Sequence, residues 1–93
     1  MLFRSSITNP ADGSIVKTNS KINITSLASD NVKIAKVEFY VNSTLKCTST
    51  LSSGPYACTW SVPGKKNTQY TITVKAYDSS NNTNSASITA KAQ

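Results

Sequence analysis

The sequence predicts an all-β fold, a two-layer sandwich of about seven antiparallel strands, on three observations. Apolar residues recur with a period of two, turn-forming clusters interrupt the chain at short intervals, and no stretch has helical spacing bounded by caps. At 93 residues the chain is one domain's worth of sequence, so the expectation is a single domain over 1–93 with its core at about 4–92.

The elements follow in order. A first strand, Arg4–Thr8 with a short continuation at Ser14–Val16, is poor in apolar residues and is expected at a sheet edge. The cluster Asn9-Pro10-Ala11-Asp12-Gly13 interrupts it. Lys21–Leu27 alternates through Ile22 and Ile24. Ile34–Val41 alternates through Val37, Phe39 and Val41, and Thr44–Leu51 carries Leu45 and Cys47 on either side of Lys46. Tyr56–Val62 places Tyr56, Cys58 and Trp60 on one face. Gln69–Tyr77 does the same with Tyr70, Ile72, Val74 and Ala76, and Thr83–Ala92 with Ala86, Ile88, Ala90 and Ala92. Each run buries one face and leaves the other in water. Between them Asp30-Asn31, Asn42-Ser43, Ser52-Ser53-Gly54-Pro55, Pro63-Gly64 and Asp78-Ser79-Ser80-Asn81-Asn82 supply the residues that turns require.

Composition narrows the function classes. Apolar residues are 38% and charged residues 15%, so Ser, Thr and Asn fill the deficit, and the high-charge signature of disorder is missing. The net charge is +6, which raises a polyanionic partner. The lysines are spread along the sequence, only Lys65-Lys66 are adjacent, and Arg4 is the one arginine. That argues against nucleic acid, whose readout leans on arginine, and favours solvated lysines that keep strand edges soluble. No segment has the length and hydropathy to span a membrane, so no insertion is expected. Met1-Leu2-Phe3-Arg4 is too short for a signal peptide and reads as a fragment edge.

The order Asn9-Pro10-Ala11-Asp12-Gly13, Ala28-Ser29-Asp30-Asn31, Val37-Glu38-Phe39-Tyr40-Val41-Asn42, Pro55-Tyr56-Ala57-Cys58-Thr59-Trp60 and Ala76-Tyr77-Asp78-Ser79-Ser80-Asn81-Asn82 resembles the bacterial Ig-like domains. The resemblance runs from about Ile7 to Lys91. Two departures stand out. Cys47 and Cys58 fill places where that family has a small residue and a large apolar one, and Lys17–Lys21 is slightly longer than usual. The resemblance implies an immunoglobulin-like β-sandwich serving as a spacer or binding module among neighbouring domains of a longer secreted or cell-surface chain. It supplies no catalytic set.

The chemistry-bearing residues are few. There is no histidine, which removes Ser-His and Cys-His pairs and imidazole metal sites. Of the four carboxylates, Glu38 on an outer strand face reads as solvated, and no enzyme activity is expected. Cys47 and Cys58 lie on consecutive strands and point inward. If the two strands form a hairpin they stand opposite each other, within reach of a disulfide, which would place the chain in an oxidising, extracytoplasmic compartment. The alternative is a pair of buried thiols. Asp30, Asn31, Asp78, Asn81 and Asn82 gather oxygen ligands at one end of such a sandwich; they suit Ca²⁺ as a cofactor, or they cap their own turns. Tyr40 and Tyr77, flanked by Glu38 and Lys75, face outward on neighbouring strands, either as a stacking face for polysaccharide or a surface-protein partner, or as a cross-strand pair shielding the sheet. Trp60 and Tyr70 read as core. Asn23, Asn42 and Asn81 open glycosylation sequons that such a composition produces by chance. The leading expectation is a non-catalytic spacer module. The alternatives are a binding module and a self-assembling adhesin or filament subunit that adds an edge strand to its neighbour.

Overall fold

The computed structural model describes residues 4–29, 34–50 and 56–93. Among these there are eight strands and no helix: β1 Arg4–Asn9, β2 Ser14–Val16, β3 Lys21–Ser29, β4 Ile34–Val41, β5 Thr44–Ser49, β6 Tyr56–Ser61, β7 Thr68–Asp78 and β8 Thr83–Ala92. They form a three-stranded sheet in the order β1-β3-β6 and a five-stranded sheet in the order β2-β8-β7-β4-β5. No helix of the described residues is long and apolar enough to cross a membrane.

The inner faces meet over one layer of side chains. Ile24, Tyr56, Cys58 and Trp60 come from the small sheet, and Val37, Phe39, Ile72, Val74, Ala76, Ala90 and Ala92 from the large one. Trp60 meets Tyr70 edge to face, ring centres 5.0 Å apart and planes at 71°, which favours the ring quadrupoles. The alternation in β4, β6, β7 and β8 therefore reads as the sequence predicts. In β3 it continues one step further than hydrophobicity shows. Ser26 is fully buried between β1 and β6, and its Oγ donates to the carbonyl of Ser6 at 2.8 Å, which offsets the cost of burying a hydroxyl. Leu27 faces outward and is half exposed.

Three expectations are corrected. Ser14–Val16 does not continue the first strand: after the turn at 10–13 it crosses to the other sheet and pairs parallel with β8, Ser14 to Ala90 and Val16 to Ala92. Gly13, at φ 78°, and its hydrogen bond to the carbonyl of Thr89 at 2.7 Å make the crossing. The sandwich thus has eight strands and one parallel pair. Leu45 does not face the core. Phe39 pairs with Cys47 but Tyr40 pairs with Leu45, so Lys46 is an extra residue in β5. This bulge turns Leu45 to the outer face, where it is 48% exposed. Leu51, expected to end the same strand, lies outside the described residues.

The third correction concerns the cysteines. Cys47 and Cys58 are disulfide-bonded, with Cα atoms 5.9 Å apart, but β5 and β6 are not a hairpin. β5 is the edge of the large sheet and β6 the edge of the small one. Both side chains point into the sandwich, Cys47 from a position paired with the buried Phe39 and Cys58 from one paired with Ile24. The bridge therefore crosses between the layers.

Closing an 11-residue separation by a covalent bond removes unfolded-state freedom equivalent to about 2–3 kcal/mol in the chain-entropy picture. The variant Cys47→Ala/Cys58→Ala is expected to unfold in urea with stability lower by about that amount and an unchanged far-ultraviolet spectrum. A midpoint identical to wild type would show that the bridge contributes nothing.

Candidate functional site

The face that sequence patterning singles out is the outer surface of the large sheet over β4 and β7. Glu38 is directly opposite Lys75, Lys36 opposite Tyr77, and Tyr40 opposite Thr73. Because side chains alternate along both strands, Lys36, Glu38, Tyr40, Lys75 and Tyr77 share this face. The structure brings all the expected residues together and adds Lys36.

Glu38 is not a solvated carboxylate. Its side chain is only 12% exposed. The hydroxyls of Tyr40 and Tyr77 both donate to its Oε1 at 2.7 Å, and Lys36 Nζ stands 3.7 Å from its Oε2. The two hydroxyl donors, Tyr77 first, stabilise the ionised form and hold the Glu38 carboxyl below its ordinary 4.5; partial burial opposes them, and Lys36 and Lys75 add smaller attractions. The same bonds act in reverse on the phenols. Donation to Glu38, helped by desolvation, pushes Tyr40 up to about 12, and Tyr77 is raised for the same reasons.

The rings are occupied as well as the hydroxyls. Lys36 Nζ lies 4.5 Å from the centre of the Tyr77 ring and Lys75 Nζ 5.1 Å from it, within the range of cation–π attraction. Two ammonium groups on one ring leave Tyr40, with the exposed Leu45 as its cross-strand neighbour, as the more accessible apolar surface. The bulge at Lys46 creates that neighbour, and period-two reasoning from sequence has no signal for it.

At the end of the sandwich, Asp78 closes the β7–β8 turn. It is buried. Its Oδ1 accepts the backbone N–H groups of Ser80 and Asn82, both at 2.8 Å, and its Oδ2 accepts the Asn82 carboxamide at 3.0 Å. Asn81 takes the left-handed conformation the turn needs, φ 65°, and donates its N–H to the Asp78 carbonyl. These contacts are those of a self-capped turn. Asp30 and Asn31, the other half of the expected calcium set, lie outside the described residues. No cluster of three or more metal-ligating side chains occurs among the described residues. Asp12 is engaged too: its Oδ1 accepts from the Thr89 N–H at 2.9 Å and from the Thr89 hydroxyl at 3.2 Å.

Two shallow clefts, of about 420 and 440 Å³, flank β2. The first is lined by Gly13, Asn67, Gln69, Thr89 and Lys91, the second by Pro10, Ser14, Ile15, Lys17 and Ile22 among others. Neither adjoins the Glu38 face.

The hydrogen bonds around Glu38 predict a specific titration. Their contribution to stability is present above the ordinary carboxylate value of 4.5 and is lost as pH falls through the lowered folded value. On the alkaline side it is present below the ordinary phenol value of 10.0 and is lost as pH rises through about 12, where Tyr40 ionises. In Tyr40→Phe/Tyr77→Phe, the Glu38 carboxyl resonance followed by NMR is expected to titrate higher than in wild type, back toward 4.5. An unmoved midpoint would mean that the hydroxyls do not hold it down.

Comparison with known proteins adds the following. A family model described as a bacterial Ig domain matches residues 4–74. No curated protein matches the chain. Among solved structures, fibronectin(III)-like modules of CbhA from Clostridium thermocellum superpose with a TM-score of 0.84 at 22% identity, over 97% of this chain and 46% of theirs. The chain thus spans about half the length of that structure. A CARDB domain from Pyrococcus furiosus, in complex with di-metal ions, superposes at 0.63 with 18% identity, over 97% of this chain and 91% of that one. A lytic polysaccharide monooxygenase from Jonesia denitrificans superposes at 0.60 with 16% identity, over 90% and 60%. At these identities the likeness is one of fold, an immunoglobulin-like β-sandwich.

Proposed function

The chain belongs to the bacterial Ig domain family, and from that membership we propose that it serves as a non-catalytic spacer module in a secreted or cell-surface protein. The observation that carries this reading is the path of the chain. β1 begins where Arg4 pairs with Ser29, at the end of the sandwich that also holds the β7–β8 turn. β8 finishes where Ala92 pairs with Thr68 and Val16, at the other end. The body between is 41 Å long and 19 Å across. A module entered at one end and left at the other adds its full length to a tandem chain.

Two further facts support the reading. The chain has no histidine, and among the described residues the carboxylates Asp12, Glu38 and Asp78 are each committed to hydrogen bonds that hold the fold, which leaves none of the three for general acid–base chemistry. The disulfide suits an oxidising compartment. Two copies joined head to tail are expected to raise the maximum dimension in small-angle scattering by roughly 40 Å over one copy, the length of the body. A pair that folds back on itself, with little increase, would count against a spacer.

A second reading is favoured by one observation, the fixing of two tyrosines on a single carboxylate. Glu38 holds both rings in place before any ligand arrives, with Lys75 beside them, so little freedom is lost on stacking a sugar or a surface protein. The wild type is then retained on an insoluble glycan, and Tyr40→Ala/Tyr77→Ala is washed through. Equal retention of the two proteins, or none of the wild type on any glycan tried, removes this reading.

A further inference from the structure

Lysines that are scattered in the sequence are gathered in the fold. Lys17, Lys21, Lys65, Lys66 and Lys91 all lie at the end of the sandwich where β8 finishes. Backbone hydrogen bonds stitch the segments that carry them: Gln93 N–H to Val16 at 3.0 Å, Thr18 N–H to Gln93 at 3.1 Å, Asn19 N–H to Val62 at 3.0 Å, Val62 N–H to Ser20 at 2.8 Å, and Asn67 N–H to Ala92 at 2.7 Å. Lys21 itself pairs with Ser61, and Lys91 with Ile15 and Gln69. Gly64 completes the gathering. A Cβ there would stand 2.7 Å from Asn19 Oδ1, so the glycine lets the Lys65-Lys66 turn settle against the Lys17–Lys21 turn without displacing the Asn19 side chain.

All five side chains are exposed, and among the described residues none of them makes an ion pair; the salt bridge there is Lys36 to Glu38. With Asp12 counted against them, the five lysines still carry four of the six net positive charges of the chain. Glu38 and Asp78 are on β4 and at the far end of β7. Asp12 borders the group, with its Oδ1 taken by Thr89. Five like charges with a single carboxylate at their border repel one another and weaken the folded state, so the arrangement is one that an external anion relieves.

We propose that this end of the sandwich binds an anionic polysaccharide, the five ammonium groups taking its charges and the neighbouring polar side chains its hydroxyls. The shallow cleft beside Lys91 is lined by the polar residues Asn67, Gln69 and Thr89, which suits a polyhydroxylated chain better than a bare ion. Ile15 is the one large exposed apolar side chain in this group, too little for the apolar centre of a protein interface. Lysines are point charges without the planar fork of arginine, and the aromatic residues nearby, Trp60 and Tyr70, are buried, so base stacking has no platform. This surface lies apart from the Glu38 face and goes beyond the spacer role.

The test uses the whole chain with soluble polygalacturonate as the carboxylated probe, dextran as the neutral one, and a duplex DNA of matched charge. Polygalacturonate is expected to bind at low salt and to weaken steadily as salt screens the contact, and dextran not to bind. Lys65→Gln/Lys66→Gln/Lys91→Gln is expected to lose about tenfold or more in affinity, as removal of three phosphate-type contacts does for a polyanion. Lys46→Gln, at an exposed lysine on β5 outside this group, is expected to bind like wild type. The substituted lysines are solvent-exposed, so the fold is kept, and circular dichroism checks it. No binding of polygalacturonate, equal binding by the triple variant, loss in the Lys46 variant instead, or tighter binding of DNA than of polygalacturonate would each overturn the proposal.

Discussion

Both sides of the sandwich are closed by covalent connections, and the single layer of core side chains depends on that closure. On one side the chain itself leaves the edge of the small sheet at Asn9 and enters the edge of the large sheet at Ser14. On the other side the Cys47–Cys58 bridge ties the remaining two edges, β5 and β6. A small domain with few apolar residues buries a modest surface, and sheets joined only by side-chain contact open most easily at their edges. Fixing both seams keeps Ile24, Phe39, Tyr56 and Ile72 dry with less hydrophobic area than an untethered pair of sheets would need.

The same economy appears in the polar groups. Ser26 is inside the core and answers the carbonyl of Ser6. Asp78 is inside and answers three donors of its own turn. Glu38 sits on the outer surface but is held as firmly as either. In a chain whose strands carry so much Ser, Thr and Asn, hydrogen bonds between strands do part of the ordering that larger apolar side chains would otherwise do. Thr73 to Ser87 and Thr8 to Thr25 are two more such pairs on exposed faces.

What was legible in the sequence was the facing of residues, because alternation records which side of a strand is dry. Val37, Phe39, Ile72, Val74 and Trp60 are where their spacing puts them, and strand limits are met within a residue or two. What was not legible was partnership. Period two is silent about which strand lies alongside, so the bridge between Cys47 and Cys58 read as a hairpin contact and proved to join two sheets. A bulge is a single inserted residue, and nothing in Leu45-Lys46-Cys47 marks Lys46 as the one to be skipped. Ser14–Val16 is too short for its pattern to distinguish a continued strand from one that changes sheet. The charge distribution was hidden for the same reason: residues 17, 21, 65, 66 and 91 are distant along the chain and adjacent only after the two turns meet at Gly64.

The parallel pairing of β2 with β8 has a consequence under mechanical tension. The chain enters at one end of the body and leaves at the other, so a pull on the two ends draws these strands past each other along their own axes. Their hydrogen bonds are loaded together in shear and resist as a group, where a peeled hairpin would surrender them singly. Once the strands slip, the bridge withholds the segment from Cys47 to Cys58, roughly 36–40 Å of contour at the reach of an extended backbone. Such a module lengthens in a bounded step and keeps its cross-linked seam as the place from which the sheets can close again.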